Sequence, residues 1–159
     1  MLHLSLLCSC QHAILTRSYL GVDESKPILL AMNGDVFDVT AGRRFYGPES
    51  GYRIFAGVDA TRSLSTGSLD AADAAAPMWN NMRDFNDRPS TWDTLLEQYA
   101  FYGSKYGRVG RLVQEDGSDA LYLLPDGSEH RGPVTAEQVE QQKLHKTDAA
   151  ASSEAHSEL

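Results

Sequence analysis

Two tyrosines in one glycine-interrupted loop, Tyr46 and Tyr52, are the side chains with the clearest chemical potential in this sequence. They lie in the stretch Asn33–Arg62, which reads NGDVFDVTAGRRFYGPESGYRIFAGVDATR. Gly47 and Gly51 let the backbone between the tyrosines pass close to a flat or bulky group. Because a loop this rich in aromatic residues must bury them against the core or a ligand, the stretch predicts a pocket.

The positions of the histidines argue against hydrolytic and zinc chemistry in the centre of the chain. All five lie outside residues 13–129, so no central histidine is available to activate a nucleophile or to hold a catalytic zinc ion. The glycine-broken loop also lacks the Gly-Lys-Ser/Thr ending of a phosphate-binding loop. An enzyme is therefore not predicted. The histidines are His3, His12, His130, His145 and His156.

The chemistry that remains is that of the phenol group. An ordinary tyrosine hydroxyl has a pKa of about 10, so it is normally a neutral hydrogen-bonding group. Packing of Tyr46 and Tyr52 in the core or loop is the simpler interpretation. The alternative is ferric haem, whose iron displaces the phenolic proton and is stabilised by the phenolate. The residue types by themselves leave both interpretations open.

A hairpin is predicted directly before the aromatic loop. Ile28–Met32 is a short apolar run typical of a buried strand, and Asp35–Val39 alternates as the returning strand. Between them, Asn33-Gly34 is the strongest short-range signal for a two-residue hairpin turn. Over Arg43–Ile54, the glycines and the proline predict that no regular element forms.

Two helices are predicted after the loop. Asp59 is suited to cap the first, and its first turn is expected to point Arg62 toward solvent or an acidic partner. The second and clearer helix begins near residue 90, and Gly103 is expected to end it. Its apolar stripe, at i, i+3, i+4, i+7 and i+10, consists of Trp92, Leu95, Leu96, Tyr99 and Tyr102.

The chain after this helix is predicted to add strands and one more helix. Lys105–Leu112 returns to an extended pattern, and Ala120–Leu124 reads as a short strand. The sequence Thr135-Ala136-Glu137-Gln138 is a capping box, so a helix is expected to about Lys146. From residue 147 onward, the composition of Ala, Ser and Glu predicts a disordered tail.

Composition limits the class of protein. The 159 residues suffice for one domain with a single core, and a formal net charge of −8 argues against nucleic acid as a partner. Cys8 and Cys10 are too few for a disulfide framework and lack companions for a metal site. Met1–Tyr19 is apolar but has no basic region typical of a signal peptide. No run reaches the roughly 18–20 apolar residues of a membrane span, so a soluble or peripheral chain is predicted.

These motifs together resemble the membrane-associated progesterone receptor family, a branch of the cytochrome b5-like haem and steroid binding domains. The resemblance covers residues 19–112. It leaves residues 1–18 as a divergent or truncated N-terminal segment, residues 113–146 as a C-terminal strand and helix extension, and residues 147–159 as the disordered tail. The matching blocks are Val36–Thr40, Phe45–Pro48, Tyr52, Phe55–Gly57, Asp59-Ala60, Trp92, Lys105-Tyr106 and Val109-Gly110.

The resemblance implies an α+β fold of the cytochrome b5-like type, in which a small sheet and paired helices form a ligand crevice. It implies non-enzymatic binding of haem b, with Tyr52 as the axial iron ligand. Tyr46 and Tyr106 would be neighbouring phenols, and Lys105 a contact of a haem propionate or of the loop. The absence of central histidines agrees with tyrosine ligation and not with the paired histidines of a typical cytochrome b5.

The partners that the resemblance implies are haem, a steroid or lipid, and haem-thiolate monooxygenases of sterol metabolism, with a role in haem handling or in their regulation. It also implies a place at the endoplasmic reticulum. Two alternatives stay open: a steroid or small-lipid module without haem, and a haem-free adaptor for a membrane enzyme. The sequence leaves open whether the chain forms a homodimer.

Overall fold

The computed structural model describes residues 20–75, 80–88, 90–114 and 116–144. The expectations for the N-terminal segment, for Cys8 and Cys10, and for the tail lie outside these residues. The elements, in chain order, are β1 (Leu29–Met32), β2 (Asp35–Asp38), α1 (Arg43–Tyr46), α2 (Thr61–Thr66), α3 (Thr91–Lys105), β3 (Gly107–Arg111), β4 (Leu121–Leu123), β5 (Glu129–Arg131) and α4 (136–144).

The central sheet has the order β1-β2-β3, with both pairs antiparallel. The predicted hairpin is confirmed, since Asn33 and Gly34 both have positive φ (50° and 80°) and Met32 lies opposite Asp35. All of β1 is buried. Its outer edge is covered by residues 57–60, because the Ala31 N–H donates to the Val58 carbonyl at 2.9 Å. The core therefore lies between this sheet and the helices.

The aromatic loop is more regular than the sequence predicts. The prediction of no regular element over Arg43–Ile54 is wrong, because α1 forms one helical turn and Arg53–Phe55 forms a 3-10 turn. Gly47 ends α1 in an extended conformation, and the Ser50 hydroxyl donates to the Gly47 carbonyl at 2.6 Å. The glycines thus separate short helical turns instead of preventing them.

The two predicted helices after the loop are present. The predicted cap is displaced by one residue, because Ala60 is the N-cap of α2 and Asp59, just before it, accepts a hydrogen bond from the Thr61 N–H at 3.0 Å. Arg62 is buried and meets acidic partners, with its guanidinium on both carboxylate oxygens of Asp84 (2.6 and 2.9 Å) and on Asp73 at 2.9 Å. Of the two alternatives for this side chain, the acidic partner is the one observed.

Helix α3 carries the predicted apolar stripe into the core. Trp92, Leu95 and Tyr102 are all buried there. The prediction that Gly103 ends the helix is wrong, since α3 continues to Lys105 and ends where Tyr106 becomes extended. Gly103 has open space around the position of a Cβ and no positive φ, so nothing at that residue requires the helix to stop.

The C-terminal part packs onto the central sheet. Strands β4 and β5 form an antiparallel hairpin, and the capping box before α4 is confirmed by the Gln138 Oε1, which accepts the Thr135 N–H at 2.9 Å. The Asn33 side-chain amide makes two hydrogen bonds to the backbone of Val134. Its Oδ1 accepts from the Val134 N–H at 2.8 Å, and its Nδ2 donates to the Val134 carbonyl at 3.0 Å. Residues 113–144 are thereby joined to the hairpin turn.

Candidate functional site

An aromatic crevice of about 490 Å³ lies between the loop at α1 and helices α2 and α3. Such a volume is within the usual range of small-molecule sites, roughly 300–1,000 Å³. Its walls are mostly aromatic and aliphatic. The lining residues are Phe45, Tyr46, Tyr52, Phe55, Ser63, Leu64, Gly67, Leu69, Gln98, Phe101, Tyr102, Lys105 and Tyr106.

Helix α3 supplies one wall through a second stripe of residues. Gln98, Phe101, Tyr102 and Lys105 have the spacing i, i+3, i+4 and i+7, which places them on one helical face. This face is adjacent to the core stripe, with Tyr102 belonging to both. One helix therefore anchors itself in the core and presents side chains to the crevice.

A buried pair of phenols forms the floor of the crevice. The hydroxyls of Tyr46 and Tyr102 lie 2.7 Å apart, and both side chains are buried. Burial, and then the hydrogen bond with Tyr102, raises the pKa of Tyr46 far above its ordinary value. Burial also raises the pKa of Tyr102, to about 12, although the bond with Tyr46 acts in the opposite direction. Both phenols are therefore neutral at physiological pH.

Tyr106 packs beside this pair of phenols and against Gly42. Its ring meets the Tyr46 ring nearly edge-on, with centroids 6.1 Å apart. A Cβ at Gly42 would lie 2.8 Å from the Tyr106 hydroxyl oxygen and 3.0 Å from the Tyr46 ring. Gly42 is thus the residue that makes room for both rings.

Tyr52 differs from the other phenols in exposure and in bonding. It is 45% exposed, and its ring stacks on Phe55 with centroids 5.7 Å apart and an interplanar angle of 13°. Its N–H donates to the Phe45 carbonyl at 3.1 Å, which fixes the backbone. Within the part of the chain that the structure describes, no hydrogen bond joins the Tyr52 hydroxyl to another residue. Its oxygen is therefore available to a ligand.

Lys105 lies at the mouth of the crevice above aromatic rings. Its Nζ is 4.9 Å from the ring centroid of Phe101 and 5.4 Å from that of Tyr106. Among the described residues that line the crevice, it is the one with a charged side chain. A negatively charged ligand group would meet this ammonium at the C-terminal end of α3.

The structure brings together all four residues that the sequence proposes for a site. Tyr46, Tyr52, Lys105 and Tyr106 line the same crevice. Tyr102 was predicted only as a core residue, and its bond to Tyr46 was not foreseen. Gln98 and Phe101 were missed as well, although their spacing with Lys105 repeats the helical period and could have revealed them.

Two kinds of feature are absent from the described residues. No group of three or more His, Cys, Asp or Glu side chains there could hold a metal ion. No helix there has the length and apolar character needed to cross a membrane.

The chain is similar to a known family over most of its length. Residues 17–147 match the family described as cytochrome b5-like haem/steroid binding domain. A protein of Arabidopsis thaliana described as having a cytochrome b5-like fold superposes with a TM-score of 0.51 at 34% identity, covering 70% of this chain and 97% of that one. The predicted fold and the predicted family resemblance are both confirmed.

Individual relatives carry names that refer to steroids and to a haem enzyme. The chain is 40% identical over 95 residues to probable steroid-binding protein 3 of Arabidopsis thaliana, covering 60% of this chain and 89% of the relative. It is 45% identical over 87 residues to membrane-associated progesterone receptor component 2 of Rattus norvegicus, covering 55% and 39%. It is 35% identical over 105 residues to the cytochrome P-450 regulator dap1 of Schizosaccharomyces pombe, covering 64% and 62%. The chain thus spans less than two thirds of the latter two relatives.

Proposed function

The chain belongs to the cytochrome b5-like haem/steroid binding domain family, and from this we propose that its crevice binds haem b without catalysing a reaction. Tyr52 is the axial ligand of the iron in this proposal. The protein acts as a haem-binding regulator or haem-handling module. When bound, haem supplies an iron centre, and an anionic phenolate ligand lowers the reduction potential of that iron.

The observation that carries the proposal is the difference between Tyr52 and the other crevice phenols. Ligation requires a phenolate, and burial disfavours the ionised form of Tyr46 and Tyr102. Their hydroxyls are also committed to each other. Tyr52 is half exposed, and its oxygen has no partner among the described residues. It is therefore the crevice phenol that an incoming iron can reach most readily.

The remaining wall of the crevice suits a flat, largely apolar group with an acidic edge. Phe55 and Phe101 both contribute aromatic surface to the crevice, and the ring centroids of Tyr46 and Tyr52 lie 6.4 Å apart. Tyr46 and Tyr106 would be the phenols next to the ligating residue. Lys105 would bind a haem propionate at the mouth.

The biological partner in this proposal is a haem-thiolate monooxygenase of sterol metabolism. The support is the relative named as a cytochrome P-450 regulator, which shares 35% of its residues with this chain over the aligned region. Relatives named as membrane-associated support an endomembrane location, at the endoplasmic reticulum.

A steroid or small lipid bound without haem is the second candidate for the crevice. The apolar walls favour it, as does the relative named as a steroid-binding protein. In that case the Tyr52 phenol would stay protonated and serve as a hydrogen-bond donor.

Titration with ferric haem tests the proposal. The wild-type chain is expected to show a saturable change in the visible spectrum, with release of about one proton per haem because the ligand must be deprotonated. Tyr52→Phe is expected to alter the spectrum, abolish the proton release and weaken binding by at least about tenfold. Calorimetry in buffers of different ionisation enthalpy measures the proton.

Tyr99→Phe is the matched control, because it removes a phenol outside the crevice that donates to Asp35. It should leave the haem spectrum and the proton release as in the wild type. A wild-type chain that shows no saturable change would end the haem proposal. An unchanged spectrum in Tyr52→Phe would assign the iron to another residue.

A further inference from the structure

One hydroxyl in the wall of the crevice has no partner. Ser63 in α2 is fully buried and lines the crevice, yet its Oγ has no hydrogen bond within the described residues. Two other hydroxyls of the same helix are satisfied by the carbonyl four residues earlier: Ser65 donates to Thr61 at 2.6 Å and Thr66 donates to Arg62 at 2.9 Å. Ser63 differs from both in lining the crevice without such a bond.

A second uncommitted polar side chain lies on the facing helix. Gln98 of α3 lines the same crevice and is half-buried, and no hydrogen bond of its amide is found among the described residues. Helices α2 and α3 pack against each other. Helix α2 thus brings a hydroxyl and helix α3 an amide to the crevice, and neither has a hydrogen-bond partner among the described residues.

This polar position is separate from the charged mouth. Gln98 precedes Lys105 by seven residues, which corresponds to about 10 Å along a helix. Neither Ser63 nor Gln98 carries a charge. The end of the crevice at Lys105 therefore suits a carboxylate, whereas the part at Ser63 and Gln98 suits a neutral oxygen.

We propose that Ser63 and Gln98 form a hydrogen-bonding subsite for a ketone or hydroxyl oxygen on a flat, apolar, uncharged ligand of the steroid class. Both side chains can donate to such an oxygen, and the ligand relieves a buried donor that is otherwise unsatisfied. A site built around such donors rejects an analogue that lacks the oxygen. The ligand competes with haem, because both would occupy the same crevice. This inference deepens the proposed function and depends on it in one respect, namely that the crevice is a ligand site.

Equilibrium dialysis against two steroids of the same skeleton tests the subsite. The probes are androstanone, which has one ketone, and androstane, the corresponding hydrocarbon. The wild-type chain is expected to prefer the ketone by about tenfold, the worth of one well-placed hydrogen bond. Ser63→Ala should lose most of this preference by binding the ketone more weakly, with the affinity for the hydrocarbon unchanged. Gln98→Leu should reduce the preference in the same sense.

Ser65→Ala is the matched control, since it removes a hydroxyl from the same helix that is bonded within the helix. It should keep the ketone preference. The inference is overturned if the wild type binds both steroids equally, or if Ser65→Ala loses the preference as Ser63→Ala does. It is also overturned if Ser63→Ala weakens both steroids alike, because that result indicates a general disturbance of the crevice.

Haem titration of the same proteins separates the two proposals. Uptake of haem without a ketone preference overturns the subsite and leaves the proposed function standing. A ketone preference without uptake of haem supports the subsite and overturns the proposed function.

Discussion

Two groups of polar side chains lie near helix α2, and they differ in whether their polar atoms have hydrogen-bond partners. At its N-terminal end, Asp59 accepts hydrogen bonds from the Thr61 N–H and hydroxyl and from the Tyr122 hydroxyl, all in the buried core. On the crevice side, the hydroxyls of Ser63 and Tyr52 have no partner in the described part of the chain. The first group, Asp59, Thr61 and Tyr122, is here called the core cluster.

The difference teaches which polar groups serve the fold and which are available for binding. Buried polar groups in folded proteins are nearly always hydrogen-bonded, because an unsatisfied one costs roughly 1–3 kcal/mol. The core cluster obeys this rule and joins β4 to α2. The crevice departs from it at Ser63, and such departures are expected at functional positions, although Asp35 Oδ1 and Asn80 Oδ1 also lack a partner outside the crevice lining. The following changes test this distinction.

The largest expected effect comes from the pH dependence of the core cluster. Burial raises the pKa of Asp59 from 3.8 to about 6, so the folded protein keeps this proton to higher pH than the unfolded chain does. The stabilisation is complete below about pH 4 and is lost as the pH rises through about 6. Relative to Asp59→Asn, the free energy of unfolding of the wild type should fall by about 3 kcal/mol over this interval.

Urea denaturation of both proteins between pH 4 and pH 7 measures this difference. Other carboxylates contribute equally to both curves and cancel in the comparison. Parallel curves for the two proteins would show that Asp59 does not titrate with folding.

A smaller effect is expected where the crevice rings pack on Gly42. Gly42→Ala places a methyl group 2.8 Å from the Tyr106 hydroxyl oxygen, so the rings must shift at a cost of about 2 kcal/mol. Gly103→Ala is the control, because its Cβ would stand in open space within α3. That substitution should stabilise the protein by roughly 0.5–1 kcal/mol. Thermal or urea unfolding measures both, and a Gly42→Ala protein as stable as the wild type would contradict the tight packing.

The smallest effects distinguish two tyrosines of the crevice before any ligand is added. Tyr46→Phe leaves the buried hydroxyl of Tyr102 without its partner and should cost about 1 kcal/mol in the free energy of unfolding. Tyr52→Phe removes a half-exposed hydroxyl with no described partner and should cost about 0 kcal/mol. Equal losses in urea unfolding would mean that the two phenols have the same structural role.

Local patterns were enough to predict most elements, whereas the four proposed site residues come from the family resemblance and stay a prediction. The Asn33-Gly34 turn, the stripe of α3 and the capping box of α4 depend on residues close in sequence, and all three are present. The family motif proposes Tyr52 as a ligand, and the structure has this residue in the lining of the crevice. A family motif can identify a residue of interest even where the predicted conformation of the surrounding loop is wrong.

Contacts between distant residues account for what the sequence did not reveal. The bond between Tyr46 and Tyr102 spans 56 positions, and no local pattern distinguishes such a tyrosine from any core tyrosine. The short helical turns around Gly47 depend on bonds such as the one from Ser50, which a reading of glycine and proline alone overlooks. The lack of a partner for Ser63 is likewise a feature of packing that a sequence does not carry.

The side chain of Asn33 has a consequence for the order of events during protein synthesis. It binds the backbone of Val134, 101 residues later in the chain. At about 5–20 residues per second, a ribosome needs roughly 5–20 s to make that stretch. During this time the amide of Asn33 and the carboxylate of Asp59 remain hydrated, and the start of α2 is unsupported by Tyr122. The bonds that join the hairpin turn and the start of α2 to the C-terminal hairpin therefore form late in translation.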